Sequence, residues 1–205
     1  CHISVANEKA NLFYDESNTD QKNFSKKSLQ FLTGILENAR ALAAIGNSTE
    51  ISYSRLVPGF EAPCIVAIGD CNRSAACRIP AISDKKIEKV AKRVEMRFPD
   101  PLANPYLLAA GFIAAGLDGL EKEVDFMGFT EDNLYEYSIQ DVVKKGFKLL
   151  PRNLWEAYKE FTESEVLRSK LGTSIHDMHG ELILDEIDSC QPFANLESVR
   201  RHYLA

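Results

Sequence analysis

Long apolar runs are missing from this 205-residue chain: the longest, Pro105 to Leu117, covers 13 residues, short of the roughly 20 that a membrane-spanning helix requires. No membrane partner is therefore expected. Cysteine is scarce and badly spaced for metal or redox work. Cys1, Cys64, Cys71, Cys77 and Cys190 never form a Cys-x-x-Cys pair, which argues against zinc ribbons and thioredoxin-like motifs. Their odd number fits reduced thiols in a cytoplasmic protein better than a disulfide framework, with Cys64 and Cys77 packing as small apolar residues. Excess positive charge is also lacking. With 24 Lys and Arg against 30 Asp and Glu the formal net charge is -6, whereas a nucleic-acid binder spreads basic charge over a whole face. What remains is ordinary globular material, 45% hydrophobic and 26% charged, long enough to bury roughly 70% of its unfolded surface.

Against this acidic background the arginines are unevenly placed. Of ten in the chain, Arg55, Arg73, Arg78, Arg93 and Arg97 fall between residues 55 and 97. With Lys85, Lys86, Lys89 and Lys92 they outnumber Glu61, Asp70, Asp84, Glu88 and Glu95, so this window carries about +4. A guanidinium fork matches carboxylate and phosphate oxygens through two parallel hydrogen bonds, and a local cluster of such forks points to a small, multiply charged anion. In the run AKRVEMRF, Val94, Met96 and Phe98 alternate with Arg93, Glu95 and Arg97. That is the period of a strand with one face on a core, and it puts one carboxylate between two guanidiniums. A solvated strand face with cross-strand ion pairs would give the same alternation.

Three motifs carry this cluster: RLVPGFEAP (55 to 63), NRSAACRIP (72 to 80) and RVEMRFPDPLANPY (93 to 106). In that order they resemble the glutamate-binding segment with its flap, the ATP-phosphate arginine segment, and the metal and glutamate segment of type I glutamine synthetases of bacteria and archaea. CHIS followed by NLFYD (11 to 15) resembles the end of that family's His-x-His nucleotide signature, and DNLYE (132 to 136) its tyrosine loop. The resemblance is dense from Cys1 to about Leu120, moderate to about Ala157 and poor beyond.

The resemblance implies an α+β fold, the C-terminal half of the glutamine synthetase catalytic domain, with an antiparallel curved sheet covered by helices. It also implies a reaction. ATP phosphorylates the side-chain carboxylate of glutamate, and ammonia then displaces phosphate from the acyl phosphate to give glutamine. A carboxylate is a poor electrophile until its oxygen becomes a leaving group, and phosphoryl transfer asks mainly for alignment and positive charge. Carried over residue by residue, Arg55 and Arg97 resemble glutamate-binding arginines, and Glu61 the flap glutamate that takes the ammonium proton. Arg73 and Arg78 resemble ATP-phosphate arginines, Arg73 also stabilising the transferring phosphoryl group. Arg93 resembles a further phosphate contact, and His2 and Ser4 nucleotide contacts. Glu95 resembles a ligand of the metal nearer the nucleotide, Mg²⁺ or Mn²⁺. Tyr135 lies where some members are adenylylated.

The expected partners are glutamate, ammonium and ATP, with a homo-oligomer, a dodecamer of two stacked six-subunit rings, for the parent. Residues 1–205 correspond to the C-terminal portion of the catalytic domain. The β-grasp domain, the first half of the catalytic domain and the other metal-ligand glutamates would lie outside the chain, so alone it is expected to be inactive. His176 and His179, three apart with Glu181 nearby, are expected at the surface or in a cap, since family and spacing argue against a metal.

A coarse pass predicts a helix capped by Ser25 or Asn23 and ending at Gly46. It further predicts strands at about 64 to 68, 74 to 79 and 91 to 98, the last two separated by a lysine-rich connection. Asn104 and Pro105 open a second helix to about Lys122, whose Gly111, Gly116 and Gly119 allow close packing. A third helical region runs from Leu154 to Leu171, broken near Ser164 and stopped by Gly172. The last 30 residues show no pattern. Pro58 and Pro63 bracket a restricted turn around Gly59, suited to a lid that excludes water from an acyl phosphate.

Departures from the family stand out, among them a stretch between Arg78 and Glu95 about four residues longer than the common pattern. Ile51 replaces a common Asn. The nucleotide lysine falls on Val90, with Lys89 or Lys92 as substitutes. The rival readings are a ligase joining glutamate to an organic amine and a synthetase-like protein without catalysis. Glu61 favours ammonia over the first. The joint presence of Arg55, Glu61, Arg73, Arg78, Glu95 and Arg97 opposes the second, because packing alone does not require clustered charges.

Overall fold

Ser25 starts the first helix as its sequence context predicts. Its backbone is extended and its hydroxyl accepts the Ser28 N–H at 3.1 Å, satisfying one of the donors a helix N-terminus leaves open. The computed structural model describes residues 1–59 and 62–203, with side chains described as far as residue 190. Helix α1 spans Lys26–Glu37 and α2 spans Ala39–Gly46, so the single predicted helix is two. Asn38 makes the break: its side-chain amide donates to the Gly34 carbonyl at 2.9 Å, giving the backbone an alternative to the helical ladder.

The sheet has five strands, β1 (His2–Ile3), β2 (Ile65–Asp70), β3 (Ala75–Ile79), β4 (Val94–Met96) and β5 (Lys148–Leu149), in the order β1-β4-β3-β2-β5. The β1·β4, β3·β4 and β2·β5 pairings are antiparallel, as expected for this α+β fold, and β2·β3 is parallel. Parallel neighbours ordinarily need a long crossover. Here residues 71–74 make the return, because Cys71 adopts a left-handed φ of 51° and Asn72 folds back over Gly69. A Cβ on Gly69 would lie 2.6 Å from that of Asn72. The predicted start of the third strand at 91 moves to Val94, since Glu88–Ala91 forms a short helix, α3.

Asn104 accepts from the amides of Tyr106 and Leu107, and Pro105 opens α4 (Pro105–Glu121), as predicted. Small residues set the contact of α4 with α1. A Cβ on Gly119 would come 2.4 Å from the Gln30 carbonyl, one on Gly34 equally close to that of Ala115, and the Phe31 ring fills the space over Gly116. The core joins this helix pair to the buried face of the sheet through Ile68, Cys77, Met96 and Phe98.

The remaining helices are α5 (Ile139–Lys144), α6 (Leu154–Thr162), α7 (Glu165–Leu171) and α8 (Thr173–Tyr203). Ser164 caps α7 and Gly172 ends it at φ 87°, as the sequence indicates. The unpatterned tail proves helical. His176 is buried there rather than at the surface, 2% exposed, stacked on Phe161 with its Nε2 2.8 Å from the Phe161 carbonyl. His179 reaches the Ala44 carbonyl at 3.1 Å. Both histidines tie α8 to the body, so their role is packing. Among the described residues no helix is long and apolar enough to cross a membrane, and the five cysteines are free thiols.

Candidate active site

The alternation read from AKRVEMRF is realised on β4 and its flanks. Lys92, Val94, Met96 and Phe98 are buried, while Arg93, Glu95 and Arg97 are half-buried on the opposite face. The antiparallel register places Glu95 opposite Arg78 of β3 on one side and opposite His2 of β1 on the other. Arg78 Nη1 donates to Glu95 Oε2 at 2.7 Å, and Arg97 Nε approaches the same oxygen at 4.0 Å. Burial works against ionisation of Glu95. The hydrogen bond and charge of Arg78, with the charges of Arg97 and His2, outweigh it and hold the carboxyl below its ordinary range.

The two guanidiniums beside Glu95 are therefore those of Arg78 and Arg97. Arg93 turns away, its Nη1 donating to the Ala91 carbonyl at 3.0 Å. The sequence alone pairs Glu95 with Arg93, because strand register against β3 is not visible in a local pattern.

Arg55 extends the cluster. Its Nη2 donates to Asn47 Oδ1 at 3.1 Å and to the Phe98 carbonyl, which places it beside Arg97. Burial lowers its pKa; the charge of Asp100 opposes this and that of Arg97 adds to it. Burial also pushes the nearby Cys64 thiol up to about 11, against the pull of Arg55. Among the described residues, Arg55 Nε and Arg78 Nε are buried donors without a hydrogen-bond partner. Leaving such donors unmade is costly, and an anion seated along Arg55, Arg97 and Arg78 would satisfy them.

Arg73 lies apart. It is exposed in the return before β3, whereas Arg78 is near the far end of that strand. The return is stitched to the 132–135 segment by three hydrogen bonds. Asn72 Nδ2 donates to the Asp132 carbonyl at 2.8 Å, the Leu134 N–H to Ser74 Oγ at 2.9 Å, and the Tyr135 hydroxyl to the Arg73 carbonyl at 3.0 Å. Tyr135 thus holds the loop that carries Arg73. Ser4 is exposed just beyond β1. Glu61, expected to take the ammonium proton, lies outside the described residues.

The two lysines considered as nucleotide contacts differ. Lys92 is 4% exposed, its ammonium 3.0 Å from Glu88 Oε1, bonded to the Lys22 carbonyl and 4.5 Å over the Phe24 ring; it is a structural cation. Lys89 is exposed on α3. Asn47, which holds Arg55, escapes sequence reasoning; a polar residue directly after the apolar α2 is its one local signal.

As a place for Mg²⁺ or Mn²⁺, Glu95 offers a hard oxygen donor of the right kind. Among the described residues no group of three or more His, Cys, Asp or Glu side chains converges on a cation position. Glu95 could by itself supply one ligand to such an ion. A cavity of about 420 Å³ opens between Pro58, Gly59 and Ala62 and the segment around Tyr135 and Val142. It is mainly apolar, and the arginines of the cluster do not line it.

Comparison with known proteins identifies the family and the fold. The family model for the glutamine synthetase catalytic domain matches residues 1–199. The glutamine synthetase of Pyrococcus woesei is 40% identical over 171 residues, 83% of this chain and 37% of that protein. That of Methanocaldococcus jannaschii is 40% identical over 188 residues, 92% of this chain and 40% of that protein. The chain thus spans about two fifths of the length of the curated relatives it matches. Among solved structures, a GmaS/ADP complex superposes with a TM-score of 0.76 at 29% identity, covering 99% of this chain and 45% of that one. Apo GmaS gives 0.73 at 30% identity, covering 99% of this chain and 44% of that one.

Proposed function

The chain belongs to the glutamine synthetase family by its catalytic domain, and from that premise we propose that it forms the C-terminal portion of a catalytic domain joining ammonia to the side-chain carboxylate of L-glutamate at the expense of ATP. The observation that supports this most directly is the line Arg55, Arg97, Glu95, Arg78, in which two buried guanidinium Nε donors have no partner among the described residues. Arg55 and Arg97 bind and orient the glutamate carboxylate. Arg78, with Arg73, Arg93, His2 and Ser4, faces the nucleotide. Glu95 supplies an oxygen ligand to a divalent cation, which when bound would neutralise charge on the polyphosphate.

The chemistry then balances in two steps. A glutamate side-chain oxygen attacks the γ-phosphorus of ATP, ADP leaves, and Arg73 stabilises the moving phosphoryl group. Ammonium gives a proton to Glu61, the resulting ammonia attacks the acyl carbon, and phosphate departs with the electron pair of the broken C–O bond and takes up the second proton that the new amide nitrogen sheds. Segment 58–63 excludes water from the acyl phosphate, which hydrolysis would otherwise waste. The complete polypeptide assembles as a homo-oligomer in the cytoplasm.

A second acceptor is raised by the apolar cavity beside Pro58, Gly59 and Ala62, which would house the alkyl group of an organic amine. The two acceptors are separated by competition. Purified complete polypeptide, given glutamate, ATP and Mg²⁺, is supplied with equal ammonium and methylamine, and the amide products are counted. Predominant glutamine supports ammonia; predominant γ-glutamyl-methylamide supports the amine. No amide with either, and no phosphate release from ATP, would overturn the ligase reading.

A further inference from the structure

We propose that Asn47 is a positioning residue for the carboxylate substrate, acting through Arg55. The inference rests on the reading of Arg55 as a glutamate-binding residue and identifies what holds it in place. Asn47 is fully buried at the end of α2, its backbone N–H donating to the Ala43 carbonyl at 2.8 Å. Its Oδ1 accepts Arg55 Nη2 at 3.1 Å, while its own Nδ2 is buried without a partner among the described residues. An amide kept in an apolar interior with one end unsatisfied is unfavourable for packing alone, and an aliphatic side chain would fill the same space at lower cost. Its acceptor oxygen is the feature that explains its presence.

The geometry around it is that of a clamp. Gly46, the preceding residue, accepts the Asp100 N–H at 2.9 Å, and the side chain of Pro99 packs against it. The Phe98 carbonyl accepts the same Arg55 Nη2 that Asn47 holds. The end of α2, the Arg55 guanidinium and the segment following Arg97 are therefore fixed to one another at three points. With Nη2 occupied twice, Arg55 can offer only Nε and Nη1 to a ligand, and Nε is the buried donor left unpartnered among the described residues. Asn47 thus withdraws Nη2 from both forks of the guanidinium and leaves single donors, Nε–H foremost, to meet the carboxylate. This is the kind of supporting contact on which a two-arginine clamp depends.

The test uses the complete polypeptide and its steady-state kinetics. Asn47→Leu, which keeps the branched shape and removes the acceptor, is expected to raise the KM for glutamate about tenfold, the scale of a lost hydrogen bond to a charged group, with the KM for ATP unchanged. In an Arg55→Ala background the same substitution is expected to add nothing, since its effect runs through the guanidinium. Asn47→Asp, which keeps an acceptor oxygen, is expected to restore most of the affinity. If Arg55→Ala leaves the KM for glutamate unaltered, the reading of Arg55 fails and the proposal with it. If Arg55→Ala raises that KM while Asn47→Leu does not, the proposal alone is overturned. Should Asn47→Leu not fold, Asn47→Asp decides: a near-native KM supports the proposal, and a tenfold increase overturns it.

Discussion

Glu95 and Arg78 occupy opposed positions on β4 and β3 and close an ion pair of 2.7 Å, with about a quarter of each side chain exposed. Removal of either partner leaves the other charge half-buried and underpaired. The carboxyl is held below its ordinary range despite a burial effect of opposite sign. Its contribution to stability is thus present above the unfolded carboxylate value of about 4.3 and is lost as the pH falls through the lower folded value. Glu95→Gln is expected to flatten the acid side of the stability profile: between pH 5 and pH 3 the urea midpoint of the variant should fall less than that of the parent chain. Equal slopes would show that the pair does not hold the charge.

The contact of α1 with α4 admits no side chain at Gly119, where a Cβ would meet the Gln30 carbonyl at 2.4 Å and Gly34 Cα at 2.7 Å. Both facing atoms belong to the α1 backbone and cannot swing aside. Gly119→Ala should therefore destabilise the chain by about 1–3 kcal/mol or more, measured by chemical denaturation. Gly128 is the contrast: a methyl group there would meet nothing within 4 Å, but its φ is 86°. Gly128→Ala is expected to cost about 1–2 kcal/mol, through backbone strain instead of overlap.

The Asn104-Pro105 start of α4, its glycine contacts and the Ser164 and Gly172 boundaries depend on residues adjacent in the chain, and all are legible in the sequence. So is the buried and exposed alternation around Glu95. The partner of Glu95 is not, because Arg78 reaches it through the register of β3 on β4. The parallel β2·β3 pair is hidden for a related reason: it depends on a tight return over Gly69 that no propensity describes. Helix α8 escapes detection because it packs partly through His176 and His179, residues that a search for apolar periodicity counts as polar.

His179 gives a second pH dependence, of recognisable sign. Burial lowers its pKa, the bond to the Ala44 carbonyl opposing and His176 adding. A base whose folded pKa lies below its unfolded value of about 6.5 takes up a proton on unfolding. The stability it contributes is complete above that value and is lost as the pH falls below it. His179→Gln keeps a donor for Ala44 but does not titrate. Its melting temperature should drop less than that of the parent chain between pH 7.5 and 5.5, and an identical drop in both would place the titration elsewhere.

Tyr135 joins the 132–135 segment to the return carrying Arg73, its hydroxyl donating to the Arg73 carbonyl at 3.0 Å. Tyr135→Phe removes only the oxygen. Two other bonds, from Asn72 to Asp132 and from Leu134 to Ser74, still tie the segments, so the stability cost should stay within about 0.5–1.5 kcal/mol. The loop itself should loosen more than the fold. Amides of residues 72–74 are expected to exchange with deuterium faster in the variant while those of β4 are unchanged, because local opening depends on the bonds that span that unit. Uniform acceleration across both would show that the hydroxyl supports the whole sheet, and no change would remove it as an anchor of Arg73.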